Sequence, residues 1–137
     1  CVCVCVRACV QARAQAGAAL GGEFQINTTT YSDQATPAVA ALPDGGFLVV
    51  WESYGQDGYG QGVYGQRYAA DGTTNGAEFR INTTTAYNQE RPIVTRLADG
   101  GFVVTWNSVR RLPSGESNGP LAKSCRPQGA PPVRTIR

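Results

Sequence analysis

The residues of this chain best suited to chemistry are aspartates set among glycines. Asp57 lies in Gly55-Gln56-Asp57-Gly58-Tyr59-Gly60, and Asp44, Asp71 and Asp99 each precede a glycine. Carboxylates in mobile, glycine-rich loops are calcium chemistry, since that ion takes roughly six to eight oxygen ligands in flexible geometry. No single loop here supplies that many, and the Gly-Gly-x-Gly-x-Asp nonapeptide that winds a calcium-loaded β-roll is absent. Asp57 stands as the candidate metal ligand. Turn formation accounts for the other three, because Asp-Gly is turn chemistry in its own right.

Catalytic groups are scarcer. The chain has no histidine, which removes the commonest general base. No Ser-x-x-Lys or Gly-x-Ser-x-Gly nucleophile motif occurs. Asp99-Gly100-Gly101-Phe102-Val103-Val104-Thr105-Trp106 looks superficially like the Asp-box of sialidase-type propellers. Its aspartate is too far from the tryptophan, however, and lacks the serine two positions before it. Cys1, Cys3 and Cys5 would share one face of a strand, but zinc sites show paired cysteine knuckles with further ligands at a distance. Asn27-Thr28-Thr29 and Asn82-Thr83-Thr84 match N-glycosylation acceptors, which matter only on a eukaryotic secretory route. Their bland counterpart is a Thr-rich connection with local side-chain hydrogen bonds. Tyr54, Tyr59, Tyr64 and Tyr68, interleaved with Gly and Gln, are candidates for a face that binds a cell-surface glycan or protein. Packing is the competing fate of those rings.

The elements that must position these residues come from a repeat. At an offset of 55, residues 21–53 overlay residues 76–108 with nineteen of 33 positions identical. Periods of roughly 40–50 residues built from short strands point to propeller blades or related arrays. Asp44-Gly45-Gly46, repeated as Asp99-Gly100-Gly101, supplies the positive-φ positions of a tight hairpin turn. In the strand that follows, Phe47, Val49 and Trp51 share one face while Leu48 and Val50 share the other. A strand apolar on both faces belongs between neighbouring sheets, so Trp51 and its equivalent Trp106 are expected to pack between units. One unit then has four antiparallel strands, near 37–42, 46–52, 62–69 and 77–82, the blade pattern. The last strand of a preceding unit sits at 23–26, and the first two of a following unit at 92–97 and 101–107.

Together Glu23-Phe24-x-Ile26-Asn27-Thr28, Leu42-x-Asp44-Gly45-Gly46-Phe47-x-Val49-x-Trp51 and Gly62-Val63-Tyr64-Gly65-Gln66-Arg67-Tyr68 resemble a repeat of very large bacterial surface proteins. Those proteins are of the hemolysin-type calcium-binding (RTX-like) or adhesin kind. The resemblance covers residues 21–108 and neither flank. It implies an extracellular or cell-surface module that is present in many copies and serves display, adhesion or spacing. Any calcium would be held by neighbouring regions of the parent protein more than by this repeat.

The flanks differ in composition. All twelve aromatic residues lie within 21–108, and all five cysteines lie outside. The repeat region carries nine acids and four arginines, a net −5, while the flanks carry one acid and eight bases, a net +7. The overall +2 is therefore a cancellation, and nucleic acid is not an expected partner, since a binding face needs its cations clustered on folded surface. Residues 1–20 and 109–137 are expected to be disordered, because they offer too little apolar surface to offset chain entropy. The Cys-Val alternation at the start also fits a translated dinucleotide tract, and Ala14-Gln15-Ala16 would suit a signal-peptide cleavage site, but Arg7, Gln11 and Arg13 interrupt the apolar stretch that needs. No run approaches the roughly 18 apolar residues of a membrane helix.

The expectation is thus an all-β, blade-like incomplete array with disordered tails, not an enzyme, whose partners are neighbouring repeat units. The alternatives are a fragment of a propeller glycosidase or lyase, and a truncated reading frame with no function of its own. About three units are usually needed to cover an array's apolar faces. The isolated chain is accordingly expected to be marginally stable or to associate through strand edges.

Overall fold

A computed structural model describes residues 9–10, 22–109 and 120–125, with side chains placed over 22–109. It is all-β, with no helix among the described residues. The strands are β1 (Cys9–Val10), β2 (Phe24–Gln25), β3 (Gln34–Ala41), β4 (Phe47–Tyr54), β5 (Gln61–Tyr68), β6 (Phe79–Arg80), β7 (Asn88–Arg96), β8 (Phe102–Val109) and β9 (Pro120–Cys125). They form a two-stranded sheet β1-β2, a four-stranded sheet β3-β4-β5-β6 and a three-stranded sheet β7-β8-β9, every neighbour antiparallel. The middle sheet is the expected four-stranded unit, and no barrel closes among the described residues.

The β3–β4 hairpin shows why the sequence turns there. Leu42 N donates to Gly46 O at 2.8 Å, Gly45 N to Leu42 O at 3.2 Å, and Gly46 N to Asp44 Oδ1 at 2.9 Å. The second copy repeats the three bonds at Leu97, Gly100, Gly101 and Asp99. The two adjacent glycines have separate jobs. Gly45 takes a φ of +83°, which costs a side chain dearly, whereas Gly46 is needed because a Cβ there would run into the Tyr68 carbonyl.

β3 begins at Gln34 rather than near Pro37, where the first strand was expected. A bulge explains the extension: register shifts between Ala35 and Ala38, with Thr36 at a φ of +48°. Pro37 cannot donate to the ladder, and the bulge carries the strand past it. The following unit repeats the device between Glu90 and Ile93, with Arg91 at +56°.

Both faces of the central sheet are buried, against different partners. Val49, Trp51, Tyr64 and Tyr68 form one cluster with Ile26, flanked by Phe24 and Phe47. Leu48, Val50, Val63 and Ile81 form the other with Val94, Phe102, Val104 and Trp106 of the next unit. The residues that face backward from the following unit, Phe102, Val104 and Trp106, are the 55-residue equivalents of Phe47, Val49 and Trp51. Each unit therefore offers its Phe/Val/Trp face to the Leu/Val face of the one before it. That is a head-to-tail contact between unlike surfaces, which adds units in series. Arg67 reinforces the junction by lying over the Phe102 ring, 5.3 Å from its centroid.

Two short strands from outside the repeat region, β1 and β9, run along its sheets. β1 pairs Cys9 with Gln25 and Val10 with Phe24, which is the register of Tyr64 with Arg80 and Gly65 with Phe79 moved back by 55. β9 runs beside β8 as β5 runs beside β4, pairing Phe102 with Cys125 where Phe47 pairs with Tyr68. An exposed strand edge recruits backbone hydrogen bonds whatever the side chains, so sequence outside the repeat still completes the ladder. The remaining flank residues, Cys1, Cys3 and Cys5 among them, lie outside the described residues.

Candidate functional site

Asp57, the candidate metal ligand, sits in the β4–β5 turn. That turn is closed by Gly55 N donating to Gly60 O at 2.8 Å and Gly58 N to Gly55 O at 3.2 Å. Its own oxygens are occupied as acceptors: Oδ1 from Tyr59 N at 3.3 Å, and Oδ2 from Asn82 Nδ2 at 3.3 Å. Among the described residues no three His, Cys, Asp or Glu side chains cluster as a metal site would require. Asp71 behaves as a turn former too. Thr73 donates to its Oδ1 from both Oγ1 and N, and those bonds hold its carboxyl below the usual range.

The sequon asparagines prove to be structural. Asn82 is 2 % exposed, and its Oδ1 accepts from Val63 N at 2.8 Å. Its Nδ2, the atom a glycan would occupy, donates to Thr84 O at 2.9 Å and Gln89 Oε1 at 3.0 Å as well as to Asp57. One side chain thus ties together a strand, a turn, the connection after β6 and the first strand of the next unit. Asn27 is likewise buried, with its Nδ2 donating to Thr29 O at 2.6 Å. A glycan at either position has no room in the folded unit.

The tyrosines divide. Tyr64 and Tyr68, proposed for binding, are buried at 6 % and 2 % exposure. Tyr68 stacks on Phe47 with centroids 5.0 Å apart, and its hydroxyl donates to Ile26 O at 2.8 Å. Burial, with a smaller contribution from the Glu78 charge, pushes the Tyr68 hydroxyl up to about 12. Burial raises Tyr64 as well, helped by the charge of Asp57. Both rings are core. Tyr59 is 62 % exposed and Tyr54 is also on the surface, so they remain available to a ligand.

These two rings line a groove of about 600 Å³ together with Asp33, Gly60, Gln61 and Asn88. Asp33 precedes β3, Tyr54 ends β4, Tyr59 to Gln61 lead into β5, and Asn88 opens β7. Asp33 and Asn88 are the same repeat position in successive units, 55 residues apart. The groove is therefore a property of the junction, not of one unit. Its walls are held from within: Tyr54 N donates to Asp33 O at 2.9 Å, and Gln61 N to Asn88 Oδ1 at 3.2 Å. Gly60 lies close against Asn88, whose Oδ1 a Cβ there would displace.

No protein-family model, curated protein or solved structure matches this chain.

Other residues at the junction gave no signal in the sequence. Glu52 is buried, and its Oε1 accepts from the Thr36 hydroxyl at 2.5 Å and from the backbone N–H of Arg91. One carboxylate therefore secures its own unit's bulge and the next unit's. Glu78 works toward the preceding connection: its Oε2 accepts from Thr28 N at 2.9 Å and Thr28 Oγ1 at 2.8 Å, and its Oε1 from Gln56 Nε2 at 2.6 Å. The only hint available was that both lie within the repeat. No described helix is long and apolar enough to cross a membrane.

Proposed function

We infer that the chain is a stacking module: part of a non-enzymatic extracellular repeat array, of an RTX-like or adhesin-type surface protein, that spaces and displays binding surfaces. The observation that supports this most is the head-to-tail contact of Phe102, Val104 and Trp106 on Leu48, Val50 and Val63. Equivalent units meet through non-equivalent faces, so each addition regenerates the surface that receives the next. The described polar groups serve the same end. Asn82, Glu52 and Glu78 spend their hydrogen bonds on turns, bulges and neighbouring units, which is scaffold chemistry.

Arrays of this kind gain stability from nearest-neighbour interfaces. Duplicating residues 27–81 in frame, so that the chain gains one complete unit, tests the reading by urea unfolding. The expected outcome is a higher midpoint and a steeper transition than the parent chain shows, because one more interface of the Phe102/Leu48 type is buried. A midpoint that stays put or falls would show that the units do not stack as a series.

A further inference from the structure

We propose that the junction groove between Tyr59 and Asp33 is a binding site for a neutral pyranose sugar. The proposal rests on the stacking reading above, and it names what such an array would present. The two exposed rings, Tyr54 and Tyr59, are the aromatic part of a wall otherwise made of Asp33, Gly60, Gln61 and Asn88. A pyranose has one face of C–H bonds and a rim of hydroxyls, so it needs a ring to lie against and polar groups around it. An aliphatic ligand would find too little apolar wall, and a flat aromatic one would leave the polar groups unpaired.

The polar groups are suitable, and the backbone of Asp33 and the side chain of Asn88 are held in place. Asp33 is exposed and beside Tyr54, held by the bond from Tyr54 N to its carbonyl. Its carboxylate accepts only, which matches the donors on adjacent sugar hydroxyls. Asn88 is anchored at both ends, since Oδ1 accepts from Gln61 N and Nδ2 donates to Glu90 Oε1 at 2.9 Å. Each of its polar atoms keeps one further hydrogen-bonding position, a lone pair and a proton. A site whose walls are set before binding loses less entropy when the ligand arrives.

Charge selects the class of sugar. Nine acids against four arginines give the repeat region a net −5, and Asp33 stands in the groove itself. Sialic acids, uronic acids and sulfated sugars meet repulsion there.

Saturation-transfer difference NMR on the full chain provides the test. The probes are the methyl pyranosides of glucose, galactose, mannose and N-acetylglucosamine, with N-acetylneuraminic acid as the anionic counterpart. At least one neutral glycoside should receive transfer, strongest on the ring protons of one face, and the acid should receive none. Tyr59→Ala should weaken that binding about tenfold through loss of the stacking surface. Asp33→Ala should weaken it comparably, while both variants keep the parent's urea midpoint because neither side chain is buried. No transfer to any neutral glycoside overturns the proposal. So does transfer that survives both substitutions, or transfer to N-acetylneuraminic acid as strong as to the neutral sugars. A chain that gains stability on unit duplication yet shows no transfer rejects the sugar site and leaves the stacking reading standing.

Discussion

The complete unit and the unit that follows it share three equivalent residues, Asn27 and Asn82, Gln34 and Gln89, Trp51 and Trp106, yet those residues choose different partners. In the first, Trp51 Nε1 donates to Gln34 Oε1 at 3.1 Å, and Gln34 Nε2 donates to Tyr31 O. In the second, Gln89 Nε2 keeps the equivalent bond to Ala86 O, but Gln89 Oε1 accepts from Asn82, and Trp106 Nε1 is buried with no partner among the described residues. The difference starts one strand earlier. Asn82 Oδ1 is anchored by Val63 N in β5, which turns its Nδ2 toward Gln89 and Asp57. For Asn27 the position equivalent to Val63 is residue 8, outside the described residues, and Asn27 Oδ1 is buried without a described partner. One glutamine oxygen faces two candidate donors, and the neighbouring strand decides which one wins. In an array, then, identical side chains are not identical interactions.

The comparison is easiest to break at the asparagines. Asn82→Ala removes an acceptor from a buried N–H and donors from three oxygens, so it should cost about 2–4 kcal/mol in urea unfolding. Asn27→Ala removes one bond among the described residues, and should cost less than about 1 kcal/mol. Equal costs would mean that the local Asn-Thr-Thr connection, present in both copies, is all that matters.

An alkaline titration comes next in size. A tyrosine whose folded pKa lies above its unfolded value of 10.0 adds stability that is complete below pH 10 and lost as pH rises through about 12. For Tyr68 that loss is on the order of 2 kcal/mol, and Tyr64 adds to it in the same direction. Tyr68→Phe should flatten the decline between pH 10 and 12 while lowering stability at neutral pH through the lost bond to Ile26 O. Both tyrosines belong to the complete unit's backward face, so an unchanged alkaline slope would show that this face opens before global unfolding.

The smallest effect is the most direct. Trp51→Phe and Trp106→Phe remove similar volume from the two faces, but only the first leaves Gln34 Oε1 without its donor. The first should therefore cost about 1 kcal/mol more than the second. A larger cost at Trp106 would reverse the assignment of the satisfied indole.

Much of the fold was legible in the chain. The 55-residue offset, the turn chemistry of Asp44-Gly45-Gly46 and the alternation of Phe47 to Trp51 all act over a few residues, and each predicted the structure it forms. Strand limits were less legible, because the bulge at Thr36 depends on a carboxylate sixteen residues away in Glu52. The candidate site was legible only in part. Tyr59 proved exposed, but Tyr64 and Tyr68 were indistinguishable from it by composition, and only the fold shows which rings lie over Phe24 and Ile26. The roles of Glu52, Glu78 and Asn88 have no local signature, since their partners are 16 to 50 residues distant or in the next unit.

By itself the sequence determined the periodic part of this protein: the unit length, its four strands, its hairpin turns and the apolar character of both sheet faces. Those follow from spacing and local backbone preference, which neighbours in the chain fix between themselves. Tertiary structure decided which face meets which, which polar groups find partners, and where the groove between Asp33 and Asn88 opens. It also drew Cys9–Val10 and Pro120–Cys125 into the ladders, which no repeat signal foretold. Contacts between residues one period apart depend on how two units rest against each other, and that geometry is written in no single unit.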